Sequence, residues 1–254
     1  FIVETGMELK RSVRGLAVSG TRLYLAGWFT QVGGQSRPYV ASVNKANGAL
    51  DAAFNANADS RAYSVELGPT GRLYVADVGG NNYDTAYEEV DLGAAGKNYG
   101  WPDCEFGTCG NPAYTPALYA YPHLGRDASI PGGFVYHGTP FPAAYQGSYF
   151  FADYTQNWIK RLAFDAQGNV SGAFDFEPPD GSGDGPYGDI VCLAEGPDGA
   201  LHYVDLGYSD VGGQLGVSKI RRIRYISSHL PPTAVASANP PAGRRGRRHP
   251  PRPG

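Results

Sequence analysis

The strongest constraint on the fold of this chain is a strand motif that recurs four times. Each copy is a short aliphatic and aromatic run that ends in a small residue, followed in three copies by Asp. The copies are residues 21–27, 71–77, 147–153 and 199–205. Their ends are 50, 76 and 52 residues apart, and two copies complete the same Gly-Pro-Xaa-Gly turn. Spacing of this kind predicts a repeat architecture.

Further strand-like runs accompany each copy of the motif. A run follows each copy at 39–43, 88–92, 159–164 and 220–225, and a fourth strand is predicted near 53–54 and 173–174. Four short strands in about 50 residues are typical of a propeller blade. We therefore predict an all-β chain, a β-propeller of short four-stranded antiparallel blades, with an ordinary β-sandwich as the alternative.

Four blades are visible in the sequence, which is a low number for a propeller. The sequence does not decide whether there is a fifth or sixth blade, which would be degenerate in sequence or supplied by a partner chain. If the ring is incomplete, the unpaired strand edges would favour a homodimer.

The composition divides the chain into regions. We expect an N-terminal extension at 1–12, the propeller at 13–227, and a Pro/Arg-rich tail at 228–254 that is the remnant of a linker to a lost domain. Within the propeller, residues 98–129 are a long Pro/Gly/Tyr-rich insertion. Long loops on rigid scaffolds commonly carry function, so we expect this insertion to contribute to the site.

The charge distribution excludes some classes of partner. All 24 acidic residues but only 16 of the 21 Lys and Arg residues lie in 1–227, which gives this region a net charge of −8. An acidic body does not suit a nucleic-acid-binding protein, whose affinity depends on neutralising phosphates. Since the sequence contains no run of eighteen apolar residues, we also expect no membrane span.

The three cysteines fall into a pair and a single residue. Cys104 and Cys109 lie five positions apart in a Gly-rich stretch without further zinc ligands nearby, which favours a small disulfide loop over a zinc site. A disulfide indicates an oxidising compartment. Cys192 lies in an apolar run and is predicted to be a buried core thiol.

The Asp residues at the ends of the repeated strands are the first candidate site. Equivalent strand ends of a propeller converge on one face, and clustered carboxylates with backbone carbonyls suit Ca²⁺. The predicted calcium ligands are Asp77, Asp84, Glu88, Asp153, Asp205 and Asp210. The alternative is that each Asp caps its own loop through Asx-turn hydrogen bonds.

Three stretches of residues 71–225 carry a resemblance to a known family. They include Asn98-Tyr99-Gly100-Trp101-Pro102 after Glu88-Glu89-Val90, the run 129–136, and the repeats ending at Asp153 and Asp205. These stretches resemble the soluble glucose/sorbosone dehydrogenases, whereas residues 13–67 resemble a different bacterial propeller repeat.

The family's known properties set the functional expectations. Its members are secreted propellers that oxidise aldose sugars with pyrroloquinoline quinone and calcium. The resemblance therefore implies a small sugar substrate and a secreted or periplasmic location. It also implies quinone binding by four residues of this chain. They are Gly79, Gly80, Asn98 and Arg221.

The sequence also departs from the family's pattern. The stretch of an early blade that carries the family's catalytic His is absent, and Val78 stands where a quinone-binding Gln is expected. The remaining candidates for a general base are His123 and His137. Two alternatives to the dehydrogenase stay open. One is a calcium-dependent hydrolase of esters, lactones or phosphotriesters at the channel mouth, and the other is a non-catalytic propeller that binds glycans or proteins.

Overall fold

A computed structural model describes most of the predicted propeller. The described residues are 12–56, 58, 61–68, 70–101, 103–107, 109–176, 188–209, 214–215 and 217–226. They are almost entirely β, with a single 3₁₀ turn at Ala143–Tyr145, and among them no helix is long and apolar enough to cross a membrane. Asp210, the tail at 228–254 and all but the last residue of the extension at 1–12 lie outside this part of the chain.

The first sheet has three strands in the order β1-β2-β5, with a two-stranded hairpin beside it. Its strands are β1 (Val13–Ser19), β2 (Arg22–Gly27), β3 (Gln31–Val32), β4 (Gln35–Ser36) and β5 (Val40–Asn44). The predicted fourth strand near 53–54 does not form. Phe54 is buried instead, with its ring edge-on to Tyr24 at 5.3 Å, so this segment packs onto the sheet through its side chain rather than through a ladder.

The second sheet has four antiparallel strands in sequence order. They are β6 (Ala62–Leu67), β7 (Leu73–Asp77), β8 (Tyr87–Gly93) and β9 (Tyr119–Pro122). The outermost strand, β9, comes from within the predicted insertion at 98–129. Its Tyr121 is opposite Glu88 in the ladder, so the insertion is a loop that leaves the blade after β8 and returns to complete it.

The third and fourth sheets follow the same plan, the third with four strands in sequence order and the fourth in the order β14-β15-β18. The third contains β10 (Gly133–Val135), β11 (Tyr149–Asp153), β12 (Trp158–Phe164) and β13 (Val170–Asp175). The fourth contains β14 (Ile190–Glu195), β15 (Leu201–Asp205) and β18 (Lys219–Ile223), with β16 (Tyr208–Ser209) and β17 (Gln214–Leu215) as a separate hairpin. The predicted strands at 159–164 and 173–174 are confirmed.

Neighbouring sheets pack face to face over one hydrophobic cluster for each interface. Val40 and Val75 belong to the cluster between the first two sheets, and Phe150 and Leu201 to the cluster between the last two. Between the second and third sheets, Tyr74 stacks on Tyr149 with 5.1 Å between the ring centres. The first strands β1, β6, β10 and β14 lie side by side in this order. The sheets are therefore propeller blades, and their first strands form the inner wall.

The prediction that Cys192 is a buried core thiol is wrong. Cys192 is exposed. Its cross-strand partner on β15 is Val204, which is paired in turn with Ile220 on β18. Its neighbours Ile190 and Leu193 are buried in the cluster shared with the third blade. The thiol therefore lies on the face that no described blade covers, where Ile220 is also 80% exposed.

The predicted disulfide between Cys104 and Cys109 is confirmed. Because that pair is bonded and Cys192 is exposed, we predict that the native protein reacts with a thiol reagent such as DTNB at one cysteine per chain. Absorbance at the thionitrobenzoate band measures the reaction, and Cys192→Ser is the matched control that abolishes it. A thiol that reacts only after unfolding would show that this face of the fourth blade is covered.

Candidate functional site

The inner wall formed by the first strands of the four described blades has two distinct ends, and we call the space along this wall the channel. The strands β7, β11 and β15 finish at Asp77, Asp153 and Asp205, and we call this the Asp end of the channel. The opposite end, where β6 and β14 turn into these strands, is the turn end. The equivalent positions predicted from the repeat are therefore confirmed as strand ends on one side of the blades.

Two of the three strand-end carboxylates are used to cap their own loops. Asp153 is fully buried and accepts hydrogen bonds from the N–H groups of Thr155 and Gln156 and from the Tyr121 hydroxyl. Asp205 accepts from the Gly207 N–H at 2.9 Å and pairs with the Arg221 guanidinium at 2.9 Å. At these two positions the structure shows the capping arrangement that the sequence left as an alternative.

The same contacts determine how these two carboxyl groups titrate. Burial raises the pKa of Asp153 despite the hydrogen bonds that it accepts. Burial alone would also raise the pKa of Asp205, but the bonds from Arg221 and Gly207 outweigh it and leave that pKa below its ordinary value.

The other predicted calcium ligands differ in their exposure to solvent. Asp77 is buried at the end of β7, whereas Asp84 is exposed in the following loop. Across the described residues, no group of three or more His, Cys, Asp or Glu side chains is placed to hold a metal ion. The calcium site, with Asp210 outside the described part, stays a prediction, and so does the calcium-dependent hydrolase that requires it.

Glu88 and His123 form a buried pair at the base of the insertion. Glu88 is fully buried, and its carboxylate lies 2.9 Å from His123 Nε2 and accepts the N–H of Ile130 at 2.7 Å and of Gly79 at 3.2 Å. Burial raises the pKa of Glu88, and the hydrogen bond to Glu88 raises the pKa of His123. Since His123 is only 2% exposed, its bond to Glu88 ties the insertion to the second blade inside the protein.

The four residues that the resemblance assigned to quinone binding have other contacts here. A side chain at Gly79 would collide with the Tyr87 carbonyl, and one at Gly80 with the Glu105 carboxylate, so the glycine pair allows the insertion to pack closely. Asn98 is exposed and accepts the N–H of Gly100. Arg221 is paired with Asp205, as described above. Their role in binding a cofactor stays a prediction.

A cavity of about 260 Å³ opens at the Asp end of the channel. It is lined by Arg14, Tyr63, Ser129, Pro131, Tyr154, Val191 and Leu206. Arg14, Tyr63 and Val191 are each the second residue of a first strand, so three blades contribute equivalent positions to its wall. None of the described lining residues is an acid or a histidine.

Two guanidinium groups share one indole ring beside this cavity. The Arg14 guanidinium lies 4.9 Å from the ring centre of Trp28, and that of Arg61 lies 4.3 Å from it. Arg14 is also 5.7 Å from the ring centre of Tyr63. The rim of the Asp-end cavity is therefore both cationic and aromatic, which suits a planar anion.

A second cavity, of about 400 Å³, opens at the turn end and is lined by residues of all four first strands and by His137, which follows β10. His137 is exposed, and its backbone N–H donates to the Glu195 carboxylate at 2.7 Å. Glu66 lies on the wall contributed by β6, and desolvation raises its pKa from 4.5 to about 7. The structure brings the predicted His137 together with two acids that the sequence analysis did not single out.

A sequence signal for these two acids does exist. Glu195 lies directly before a Gly-Pro-Xaa-Gly turn, and Glu66 lies two residues before one. Both are near the end of the first strand of their blade. The two acids occupy different positions relative to the turn, and the desolvation of each depends on the neighbouring blades. For this reason the shifted pKa of Glu66 could not be predicted from the sequence.

Comparisons with known proteins show which solved structures share this fold. No family model matches the chain. A protein of Thermus thermophilus, assigned as a putative oxidoreductase (glucose dehydrogenase), superposes with a TM-score of 0.57 at 18% identity, over 80% of this chain and 61% of that one. The PQQ-bound aldose sugar dehydrogenase of Streptomyces coelicolor gives 0.53 at 16% identity, over 80% and 58%. The soluble aldose sugar dehydrogenase of Escherichia coli, in its apo form, gives 0.51 at 15% identity, over 74% and 59%.

The shared fold is that of the soluble sugar dehydrogenases. The predicted fold class and the predicted resemblance are thereby confirmed at the level of the fold. The chain spans about three fifths of the length of the solved structures that it matches.

The buried pair gives a stability prediction. Glu88→Ala removes the acceptor of His123 and of two backbone N–H groups, and we expect it to lower the free energy of unfolding by about 3–5 kcal/mol. Glu88→Gln should cost less because its amide oxygen can still accept the Ile130 N–H. Urea unfolding measures both, with exposed Asp84→Asn as the control within about 0.5 kcal/mol of the parent. Equal stability of Glu88→Ala and the control would contradict the role of this pair.

Glu66 gives a prediction about pH. Its pKa is raised above the ordinary value of 4.5, so its contribution to stability is full below pH 4.5 and is lost as the pH rises to about 7. Because Glu66→Gln stays neutral, its stability relative to the parent should increase between pH 5 and pH 8. Urea unfolding at both pH values tests this, and a difference that does not change with pH would show that Glu66 is not desolvated.

Proposed function

We propose that the blades of this chain form the ligand-binding part of a quinone-dependent aldose sugar dehydrogenase, with the site at the Asp-end cavity. The observation that carries the proposal is the pair of guanidinium groups of Arg14 and Arg61 over the Trp28 ring at the rim of this cavity. The fold shared with soluble sugar dehydrogenases supports the same assignment.

The rim has the donor set that pyrroloquinoline quinone requires. This cofactor is a planar tricarboxylate, and planar anions are held by guanidinium groups that provide hydrogen bonds and by rings that stack. Arg14 and Arg61 would bind its carboxylates while the Trp28 ring supports both guanidinium groups, and Tyr63, which lines the cavity, would contact its ring system. When bound, the quinone supplies the acceptor for the two electrons that leave the sugar carbon.

The cavity beyond the rim would hold the sugar. Ser129 and Tyr154 line it with hydroxyl groups that can bond to sugar hydroxyls, and Pro131, Val191 and Leu206 exclude water from the apolar side. Because no described lining residue is an acid or a histidine, the proposal assigns binding and orientation to these side chains. Proton removal from the sugar is left to a group outside the described residues.

The Cys104–Cys109 disulfide supports a secreted or periplasmic location, since such bonds persist in oxidising compartments.

The uncovered face of the fourth blade, with Ile220 and Cys192, supports pairing of two chains through open blade surfaces. Because residues 1–227 carry a net negative charge, nucleic acid is not among the proposed partners.

Titration with pyrroloquinoline quinone tests the proposal directly. We expect saturable quenching of tryptophan fluorescence, and we expect Arg14→Ala and Arg61→Ala each to weaken binding by about 10- to 100-fold, because each loses a charge-assisted hydrogen bond. Arg224→Ala removes an exposed arginine that follows β18 at its turn end, away from the rim, and is the matched control. Absence of saturable quenching would overturn the proposed function, and equal affinities of all variants would overturn the proposed site. Dye-linked oxidation of glucose then measures whether the bound quinone is turned over.

A further inference from the structure

One row of cross-strand partners runs across the face of the fourth blade that no described blade covers. It joins Cys192 on β14 to Val204 on β15 and Ile220 on β18, and Val204 directly precedes the strand-end Asp205. Ile220 is 80% exposed, Cys192 is exposed and Val204 is half-buried. We call this side of the sheet the uncovered face. It presents small apolar side chains from all three strands of the blade.

The equivalent rows of the second and third blades are covered by the next blade. In the second blade the row is Ser64, Ala76 and Val90. In the third blade, Ala152 and Ile159 occupy the second and third positions. The last four of these residues are fully buried in the clusters between blades, and Ser64 lies against the backbone that leads into β10. Position by position, the row of the uncovered face is the row onto which a following sheet packs.

The uncovered face therefore has the pattern that receives another β-sheet. Val204 and Ile220 are apolar at the two positions where the second and third blades bury apolar residues. The register of the established interfaces thus continues into the fourth blade. Burial of this row would gain the hydrophobic free energy that the other blades already gain at the same positions.

The first blade does not offer a complementary face for a head-to-tail arrangement of chains. The side of its sheet that points away from the second blade carries Leu25, onto which Phe29 and Val32 pack. Phe29 and Val32 are completely buried and belong to the turn and hairpin that follow β2. Val18, which is 54% exposed, marks the part of this side that stays uncovered. A fourth blade from another chain would have to displace the hairpin to pack here.

The charge of the uncovered face also suits contact with a second copy. Arg222 lies two positions after Ile220 on β18, on the same side of the sheet, and forms an ion pair with Asp198. The cation of this face is therefore compensated by an acid of the same blade, whereas residues 1–227 as a whole carry a net charge of −8. Two acidic chains repel each other, and an apolar face with a compensated charge is where they approach most easily.

We propose that two copies of this chain associate through their uncovered faces, with the row of Cys192, Val204 and Ile220 in each copy packed against the same row of the other. This inference rests on the pairing of two chains that the proposed function includes, and it gives that pairing its surface. A two-fold axis relates the copies, because the same patch is used by both.

The association is weak and reversible. One row of apolar side chains on three strands is a small patch compared with the interfaces of stable dimers. Cys192 is therefore open to solvent in dilute protein, in agreement with its expected reaction with DTNB, and becomes covered as the concentration of the chain rises.

Sedimentation velocity of the full chain over a range of concentrations tests the proposal. We expect the weight-average mass to rise from one chain towards two. Ile220→Asp places a charge in the interface and should raise the dissociation constant by about 10- to 100-fold. Val18→Asp is the matched control, because it places the same charge at an exposed apolar position of the first blade, and it should leave the dissociation constant unchanged.

Cross-linking with bismaleimidohexane locates the interface. Each maleimide adds to one thiol, so the reagent joins two chains through Cys192 when the two thiols are close together. We expect a cross-linked dimer from the parent chain, much less from Ile220→Asp, and none from Cys192→Ser.

Three outcomes would each overturn the proposal. They are a mass of one chain at every concentration, an effect of Val18→Asp equal to that of Ile220→Asp, and equal cross-linking of the parent and Ile220→Asp. Circular dichroism confirms that the variants are folded. Quinone titration of the same samples separates this inference from the proposed function, since Ile220→Asp should bind quinone as the parent does. A parent chain that dimerises without binding quinone would overturn the proposed function and leave this inference standing.

Discussion

Face-to-face packing of neighbouring blades is the interaction on which the rest of this structure depends. Each sheet is hydrophobic on its faces, and a sheet that buries only one of them against the next leaves a row of apolar side chains in water. The stacking of Tyr74 on Tyr149, 5.1 Å apart, is the centre of the interface between the second and third blades. Such interfaces place the first strands side by side, and they thereby create the channel and both of its cavities.

The same packing accounts for the electrostatics of the site residues. Glu66 has a raised pKa because the neighbouring blades remove water from it, and Tyr149 is buried for the same reason. Asp153, in contrast, is buried where its own loop provides hydrogen-bond donors. Chemically similar carboxylates therefore have different surroundings: one caps a loop, and the other lines a cavity.

The sequence predicted the parts of the fold that are local and repeated. The strand motif and the Gly-Pro-Xaa-Gly turns are sufficient to identify blades, and the spacing of Cys104 and Cys109 is sufficient to identify the disulfide. The exposure of Cys192 could not be predicted, because an apolar run has the same pattern whether or not another sheet covers its second face. The strand β9 was also missed, since it returns from a long insertion and pairs far from its neighbours in sequence.

The candidate site was less predictable than the fold for a related reason. Repeated Asp residues indicate equivalent positions but do not distinguish a metal ligand from a loop cap, because the donors that reach Asp153 and Asp205 are visible only in three dimensions. The rim of Arg14, Trp28 and Arg61 combines side chains from three separate segments, so no sequence motif indicates it.

The central proposal is that the Asp-end rim is a binding site for a planar anionic cofactor. Hydrogen–deuterium exchange with and without pyrroloquinoline quinone tests it most directly, because it maps where the ligand acts. We predict increased protection in the segments around residues 14, 28, 61–63 and 129–131, with no change around 137 and 195 at the opposite end. Protection confined to the turn end, or none at either end, would contradict it.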